Sequence, residues 1–157
     1  MDRLAEPPAA IPRWDLQRFV DAQNPQLDTV IQELTTGRKR SHWMWYFFPQ
    51  IAGLGRSATS QLYALASLDE ARAYLEHTIL GGRLRQLTGL VNELPGHDAE
   101  AVFGPVDALK FRSSMTLFHL AAGDCDSLFQ DALDKYFDGQ PDLRTLELAG
   151  VERVVPA

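Results

Sequence analysis

Apolar residues recur every three or four positions along most of this chain, which is the pattern of helices that bury one face. In the segment 26–36, four apolar residues fall at i, i+3, i+4 and i+7, namely Leu27, Val30, Ile31 and Leu34. Gly37 follows at once and is a natural helix stop. The same spacing runs through 80–94 until a Pro-Gly pair interrupts it. Both segments are therefore predicted to be helices.

Capping residues and helix breakers divide the rest of the chain into further helical segments. Ser67 and Glu70 have the spacing of a capping box, with Ser67 as the N-cap. Asp107 is expected to cap the longest helix, and Leu62 and Leu65 are expected to point inward from an earlier one. The remaining predicted helices cover 15–23, 57–66, 67–76, 100–103, 107–122, 126–137 and 141–149.

No segment alternates apolar and polar residues for more than a few positions, so strands are not expected. The pattern predicts an all-α protein, a single compact domain of about seven to nine short helices over residues 14–149. Residues 1–13 are rich in proline and lack an apolar period, so they are predicted to be a loose tail, as are 150–157. Periodicity leaves 43–48 open between a short helix and a buried extended run.

Composition narrows the class of protein. The 157 residues are 45% hydrophobic and 23% charged, as in ordinary soluble domains, and no window is apolar for long enough to span a membrane. A net charge of −6 argues against extended nucleic acid as a partner. The first residues lack the apolar region of a secretory signal, and the one cysteine cannot form an internal disulfide. A cytoplasmic location is the expectation.

The segment 37–50, GRKRSHWMWYFFPQ, concentrates chemistry in a way that no other part of the chain does. Three consecutive cations and five aromatic residues lie between Arg38 and Phe48. Five aromatic rings so close together cannot share one buried stripe, because neighbours on a helix point about 100° apart. The segment is therefore a core anchor, a binding surface, or both. Either Trp43 or Trp45 is expected to be largely buried.

Several strings in the chain resemble the uncharacterised, mostly bacterial domain-of-unknown-function family 1810. The strings are 15–23, 37–50, 53–55, 67–71 and 109–118, and the resemblance runs from about Asp15 to Leu148. It implies a small, mainly helical, soluble domain, it favours a helix at 43–48, and it supplies no catalytic residues. Members are sometimes labelled calpastatin. That inhibitor acts through disordered segments, whereas this chain has the periodicity of a packed domain.

Signatures of metal, cofactor and nucleophile chemistry are weak. None of the four histidines pairs at i, i+3 or i+4, and there is no Cys-x-x-Cys, so no metal site is expected. No Walker A or G-x-G-x-x-G string occurs, so no cofactor is expected. Ser41 and His42 are adjacent, and on a helix their side chains would diverge. The sequence leaves the catalytic residues unknown.

Two hypotheses remain, and they belong to different classes of protein. Lys110, Ser113 and Ser114 lie at i, i+3 and i+4, so they would share one helix face that could complete an anion site with the segment 37–50. In the first hypothesis the chain binds a small anionic metabolite or nucleotide derivative in such a cleft, with Trp45 stacking on a ring and His42 as the proton-transfer candidate. The candidate ligand-binding residues are Arg38, Lys39, His42, Trp45, Gln50, Lys110, Ser113 and Ser114.

The alternative hypothesis is a non-catalytic protein-interaction module whose binding patch is the aromatic-basic segment, since Trp, Tyr and Arg dominate binding hot spots. Burial separates the two. A concave pocket shared by 38–50 and 110–114 favours the ligand site, and an exposed convex aromatic patch favours the module. The ligand hypothesis further requires His42 or Lys39 to lie within about 10 Å, one Debye length, of the Lys110 ammonium. The protein partner in the alternative is unknown.

Overall fold

The computed structural model describes residues 14–151, and in this range the chain forms ten α-helices and one short 3-10 turn, Gly123–Cys125. The all-α prediction is confirmed: the same range contains no strand and a single isolated parallel bridge, between Ile51 and Leu65. The helices are α1 Gln17–Gln23, α2 Leu27–Thr36, α3 Met44–Phe47, α4 Ala58–Leu62, α5 Leu68–Glu76, α6 Leu80–Glu93, α7 Ala99–Phe103, α8 Pro105–Ala122, α9 Leu128–Phe137 and α10 Leu143–Leu148.

Parts of the expected domain organisation lie outside the described residues. The predicted tail 1–13 does so entirely, and so do residues 152–157 of the predicted C-terminal tail. None of the helices formed between residues 14 and 151 combines the length and the apolar character needed to cross a bilayer.

Helix α8 is the centre of the domain and packs against α5, α7, α9 and α10. It is buried on nearly all sides from Phe111 to Phe118, which is why its apolar residues do not form a simple stripe. Its start corrects one prediction: the helix begins at Pro105 behind Gly104, and Asp107 lies in the first turn without capping it. Proline is favoured at the first helical position, because it has no N–H that would be left without a partner and its φ is already helical. Pro105 and not the downstream aspartate therefore determines where the helix starts.

The ends of the other helices follow local chemistry. Gly37 ends α2 in the left-handed region, with φ 83°. Ser67 caps α5 by accepting from the Glu70 N–H at 3.3 Å, as predicted. The reciprocal contact differs from a simple capping box, because the Glu70 carboxylate accepts from the Ala66 N–H and pairs with Arg18 at 3.1 Å.

The prediction for the two leucines near α4 was half wrong. Leu62 is 60% exposed, because the helix ends there after little more than one turn. Leu65 is fully buried, but through extended backbone that bridges to Ile51 and not through a helix face.

The aromatic segment supplies the core, as expected. Trp43 is fully buried, as are Phe47 and Phe48 to within 1%. The Trp43 and Phe47 rings meet edge to face at 5.8 Å, and Phe48 meets Phe111 of α8 in the same manner at 5.3 Å. Such pairs add about 0.5–1.5 kcal/mol each beyond their buried area. Helix α3 is thereby fixed against α8, and this brings the segment 37–50 beside the start of α8.

Candidate functional site

The loop between α2 and α3, residues 38–43, is held by one buried carboxylate, Glu33. Its Oε1 accepts from the Arg40 N–H at 2.8 Å, from the Ser41 N–H at 3.1 Å and from the Trp43 indole N–H at 2.9 Å. Its Oε2 accepts from the Ser41 hydroxyl. Four donors around one carboxylate fix the backbone of the basic loop and the orientation of the Trp43 ring.

The same contacts set the ionisation of Glu33. Burial alone would raise the pKa of Glu33, but the hydrogen bonds from Ser41, Arg40 and Trp43 outweigh it and lower the pKa from 4.5 to about 2. Each donor stabilises the charged form and none can stabilise the protonated form equally well. The basic loop is thus organised around a permanent negative charge at neutral pH.

Lys39 is turned into the protein and not toward solvent. Its side chain is only 6% exposed, and its ammonium contacts the Asp107 carboxylate at 2.8 Å and donates to the Ser41 carbonyl. The ammonium also lies 5.0 Å from the centroid of the Trp43 ring. A buried cation of this kind requires such partners. Lys39 therefore links the basic loop to the first turn of α8.

Lys110 reaches the same carboxylate from α8. Its ammonium lies 3.5 Å from Asp107 Oδ1 and 5.0 Å from the centroid of the Trp45 ring. The two ammonium groups therefore flank one carboxylate, although their residues are separated by most of the middle of the chain. The contact of Lys110 is longer than a strong ion pair, and its side chain is 23% exposed.

These groups surround a cavity of about 300 Å³, called here the charged cavity. Its main lining residues are Lys39, His42, Trp45, Val106, Asp107 and Lys110. His42 is exposed. The segment 37–50 and the start of α8 thus meet at one concave surface, with two ammonium groups, an imidazole and an indole ring on its walls.

Four of the sequence-predicted site residues lie elsewhere. Arg38 is exposed and lines a separate hollow beside Glu100. Ser113 and Ser114 line none of these cavities: both are buried, and the Ser113 hydroxyl donates to the Leu109 carbonyl at 3.1 Å. The predicted face shared with Lys110 is not available at the surface. Between Lys110 and Ser113, α8 becomes covered by other helices. Gln50, the fourth, lies on the wall of a different cavity.

This second cavity has a volume of about 90 Å³ and is called here the neutral cavity. Its lining includes Trp45, Gln50, Gly53, Gly55, Ser60 and Tyr63. Gly53 has φ 107°, a conformation open mainly to glycine. A Cβ on Gly55 would lie 2.3 Å from the Ser60 Cβ, so the loop can sit this close to α4 only without a side chain.

Trp45 lines both cavities. It is half-buried, and its buried indole N–H has no hydrogen-bond partner in the part of the chain that the structure describes. Trp45 lies on helix α3, which is held by Gln23. The Gln23 side-chain amide donates to the Tyr46 carbonyl at 2.6 Å. Trp45 is therefore part of the wall of both cavities, and its indole N–H lacks an acceptor among the described residues.

Sequence reasoning missed Glu33 and Asp107 as organisers of this region. A signal for Glu33 was present, since it falls on the apolar face of α2, three positions after Val30 and one before Leu34. An acid at such a position needs buried donors. No comparable signal marks Asp107, which lies in an ordinary first helical turn. Between residues 14 and 151, no three His, Cys, Asp or Glu side chains cluster as a metal site would require.

Comparisons with known proteins agree with this architecture. The family profile described as "Protein of unknown function (DUF1810)" matches residues 13–149. The crystal structure of the conserved hypothetical protein Rv1873 from Mycobacterium tuberculosis is similar, with 51% sequence identity and a TM-score of 0.85. The match covers 88% of this chain and 98% of that one. No curated protein matches the chain. The chain belongs to the DUF1810 family of proteins of unknown function.

Proposed function

We propose that this protein binds a small anionic ligand in the charged cavity, with the Lys110 ammonium as the principal anchor. The supporting observation is that Lys39, His42, Trp45 and Lys110 all line one cavity, although they come from two segments distant in sequence. Convergence of cations and an indole ring on one concave surface is typical of sites for small anions that carry an organic body.

The charge balance of the cavity favours Lys110 over Lys39 as the anchor. Asp107 can neutralise one of the two ammonium groups, and it makes the shorter contact with the more buried Lys39, 2.8 Å against 3.5 Å. Lys110 is left with a long contact and a more exposed side chain. A ligand carboxylate or phosphate at normal ion-pair distance would therefore improve the environment of Lys110 without taking a partner from Lys39.

Burial argues against the interaction-module hypothesis. An aromatic binding patch needs its rings at the surface, but Trp43, Phe47 and Phe48 are all in the core. The two remaining rings of the segment, Trp45 and Tyr46, are half-buried and pack on each other at 5.9 Å. What the aromatic residues of the segment offer to solvent is the wall of a cavity. The proposal includes a cytoplasmic location, where an unpaired exposed cysteine such as Cys125 is ordinary.

The experiment compares Lys110→Met with Lys135→Met. Lys135 lies on α9 beside the Tyr136 ring and lines neither cavity, so the control makes the same change of charge elsewhere. Orthophosphate and glutarate are titrated into the labelled protein while the indole N–H signals of its three tryptophans are followed by NMR. Trp45→Phe identifies the signal of Trp45.

We expect saturable shifts of the Trp45 signal in the parent and in Lys135→Met. In Lys110→Met the half-saturation concentration should rise about tenfold to a hundredfold, because a charge-assisted hydrogen bond is worth roughly 1.5–3 kcal/mol. Added salt should weaken binding to the parent more than to Lys110→Met. Equal binding by the two methionine variants, or shifts that never saturate, would refute the proposal.

A further inference from the structure

We infer that the neutral cavity is a second compartment of the same ligand site and that it takes an uncharged, hydrogen-bonding group. The ligand would then be a carboxylate or phosphate whose other end is a small amide. This inference rests on the proposed function, since the anionic end is the part that Lys110 would hold.

The division of charge between the cavities is the first argument. The charged cavity has four ionisable side chains on its walls: Lys39, His42, Asp107 and Lys110. The neutral cavity, among the described residues, has no Asp, Glu, Lys, Arg or His side chain on its walls. A buried charge without a partner is strongly unfavourable, so a ligand that enters both cavities must be charged at one end only.

Unused polar groups are the second argument. The Trp45 indole N–H is buried and has no acceptor among residues 14–151, which is unfavourable. The side-chain amide of Gln50, also on the wall, has no hydrogen bond within residues 14–151. Trp45 and Gln50 both line this small space, so a group that both donates and accepts is the kind that could satisfy the indole N–H of the one and the free amide of the other. A primary amide does this, and an alkyl group does not.

Size restricts the group further. A cavity of about 150 Å³ is known to hold one benzene molecule. The neutral cavity, at about 90 Å³, is smaller. It is therefore too small to enclose a nucleobase or another aromatic ring, and it accommodates a group of a few heavy atoms. A nucleotide derivative is therefore a less suitable ligand, because its base would have to stay in the charged cavity.

Arg18 and the glycine loop give this compartment a fixed shape. The Arg18 guanidinium donates to the carbonyls of Leu62 and Ala64 at 3.0 and 2.9 Å and pairs with Glu70. These contacts hold the chain after α4, including Ala64 on the wall of the cavity. The wall also includes Gly53 and Gly55, which have no side chains to move aside. A preformed compartment loses little entropy when a group enters it.

The test uses two homologous series of carboxylates. One is the ω-amides from succinamate to suberamate, so that the length matching the two cavities is included. The other has an isopropyl group, of similar shape, in place of each amide. At the best length we expect the amide to bind the parent about tenfold more tightly than its isopropyl partner, as one to two neutral hydrogen bonds allow.

Gln50→Leu should reduce this preference, because the Trp45 N–H remains. It should leave the binding of orthophosphate unchanged, because Gln50 does not line the charged cavity and its backbone carbonyl still accepts from the Leu65 N–H. Gln130→Leu on α9 is the matched control and should keep the preference. Gln50→Met replaces Gln50→Leu if the leucine variant loses the NMR spectrum of the folded parent. Unaltered binding of orthophosphate is the internal check that the charged cavity is intact.

The outcomes separate the two proposals. If amides and isopropyl compounds bind the parent equally, or if Gln50→Leu weakens both series alike, the second compartment is overturned. Should Lys110→Met still weaken both series in that case, the proposed function stands alone. If Lys110→Met changes neither series, or no member binds, the proposed function fails and the second compartment fails with it.

Discussion

The buried carboxylate of Glu33 provides the sharpest test of how the basic loop is built. The variant Glu33→Gln keeps the shape of the side chain and removes its charge. A glutamine oxygen can still accept from the Arg40 or Trp43 N–H, and its amide can donate to the Ser41 hydroxyl, so packing is preserved. What is lost is the charge of an acceptor with four donors.

The magnitude follows from the pKa. In the unfolded chain a glutamate titrates near 4.3, whereas hydrogen bonding lowers the pKa of Glu33 in the folded protein to about 2. A difference of a little more than two pKa units corresponds to about 3 kcal/mol at neutral pH. Because the folded-state pKa is the lower one, this stability is fully present above the unfolded value and is lost as the pH falls toward about 2. At pH ~3 roughly half of it remains.

The assay is urea unfolding of the parent and of Glu33→Gln at pH 7 and pH 3. We expect the free energy of unfolding to differ by about 2–3 kcal/mol at neutral pH and by about half as much at the lower pH. Other carboxylates titrate in both proteins, so the double difference isolates Glu33. Glu147→Gln is the control, because that side chain is 66% exposed and its pair with Arg144 is worth little. A Glu33→Gln difference that is the same at both pH values would refute the reasoning.

Two further predictions concern the core and the neutral cavity. Trp43→Ala should destabilise the fold by about 3–5 kcal/mol, whereas Trp45→Ala should destabilise it markedly less because that ring is only half-buried. Thermal unfolding of both variants measures the difference, and equal losses of stability would contradict it. Gly55→Ala should destabilise the protein and disturb the Trp45 indole signal, because the new Cβ would lie 2.3 Å from the Ser60 Cβ; a variant as stable as the parent with an unshifted signal would show that the loop can move.

The sequence by itself determined the class of fold and most of the helices. The periods in 26–36 and 80–94 predicted α2 and α6 to within a residue or two at each end. Gly37 and Ser67 ended and started helices as expected. These are local properties: a helix period, a residue tolerant of positive φ and a capping hydroxyl act over a few neighbouring residues, so they can be recognised without knowing what packs against them.

The candidate site was predicted only in outline. The sequence pointed to the segment 37–50 and to Lys110, and the structure places Lys39, His42, Trp45 and Lys110 around one cavity. It does not place Ser113 or Ser114 there. Their helical spacing puts them on the same face as Lys110, but other helices cover that part of the face. Exposure along a helix is decided by its neighbours, and α8 has neighbours on nearly every side.

Tertiary structure alone decided the electrostatics. Asp107 had the features of a helix cap, yet it pairs with two lysines. The position of Glu33 on the apolar face of α2 indicates burial, but only the packed helices show that it organises the loop that carries Lys39 and Trp43. Charge pairing acts across space between residues far apart in the chain, and its strength depends on burial. No local pattern encodes either quantity, which is why the partners of Asp107 and Glu33 became evident only when the helices were packed together.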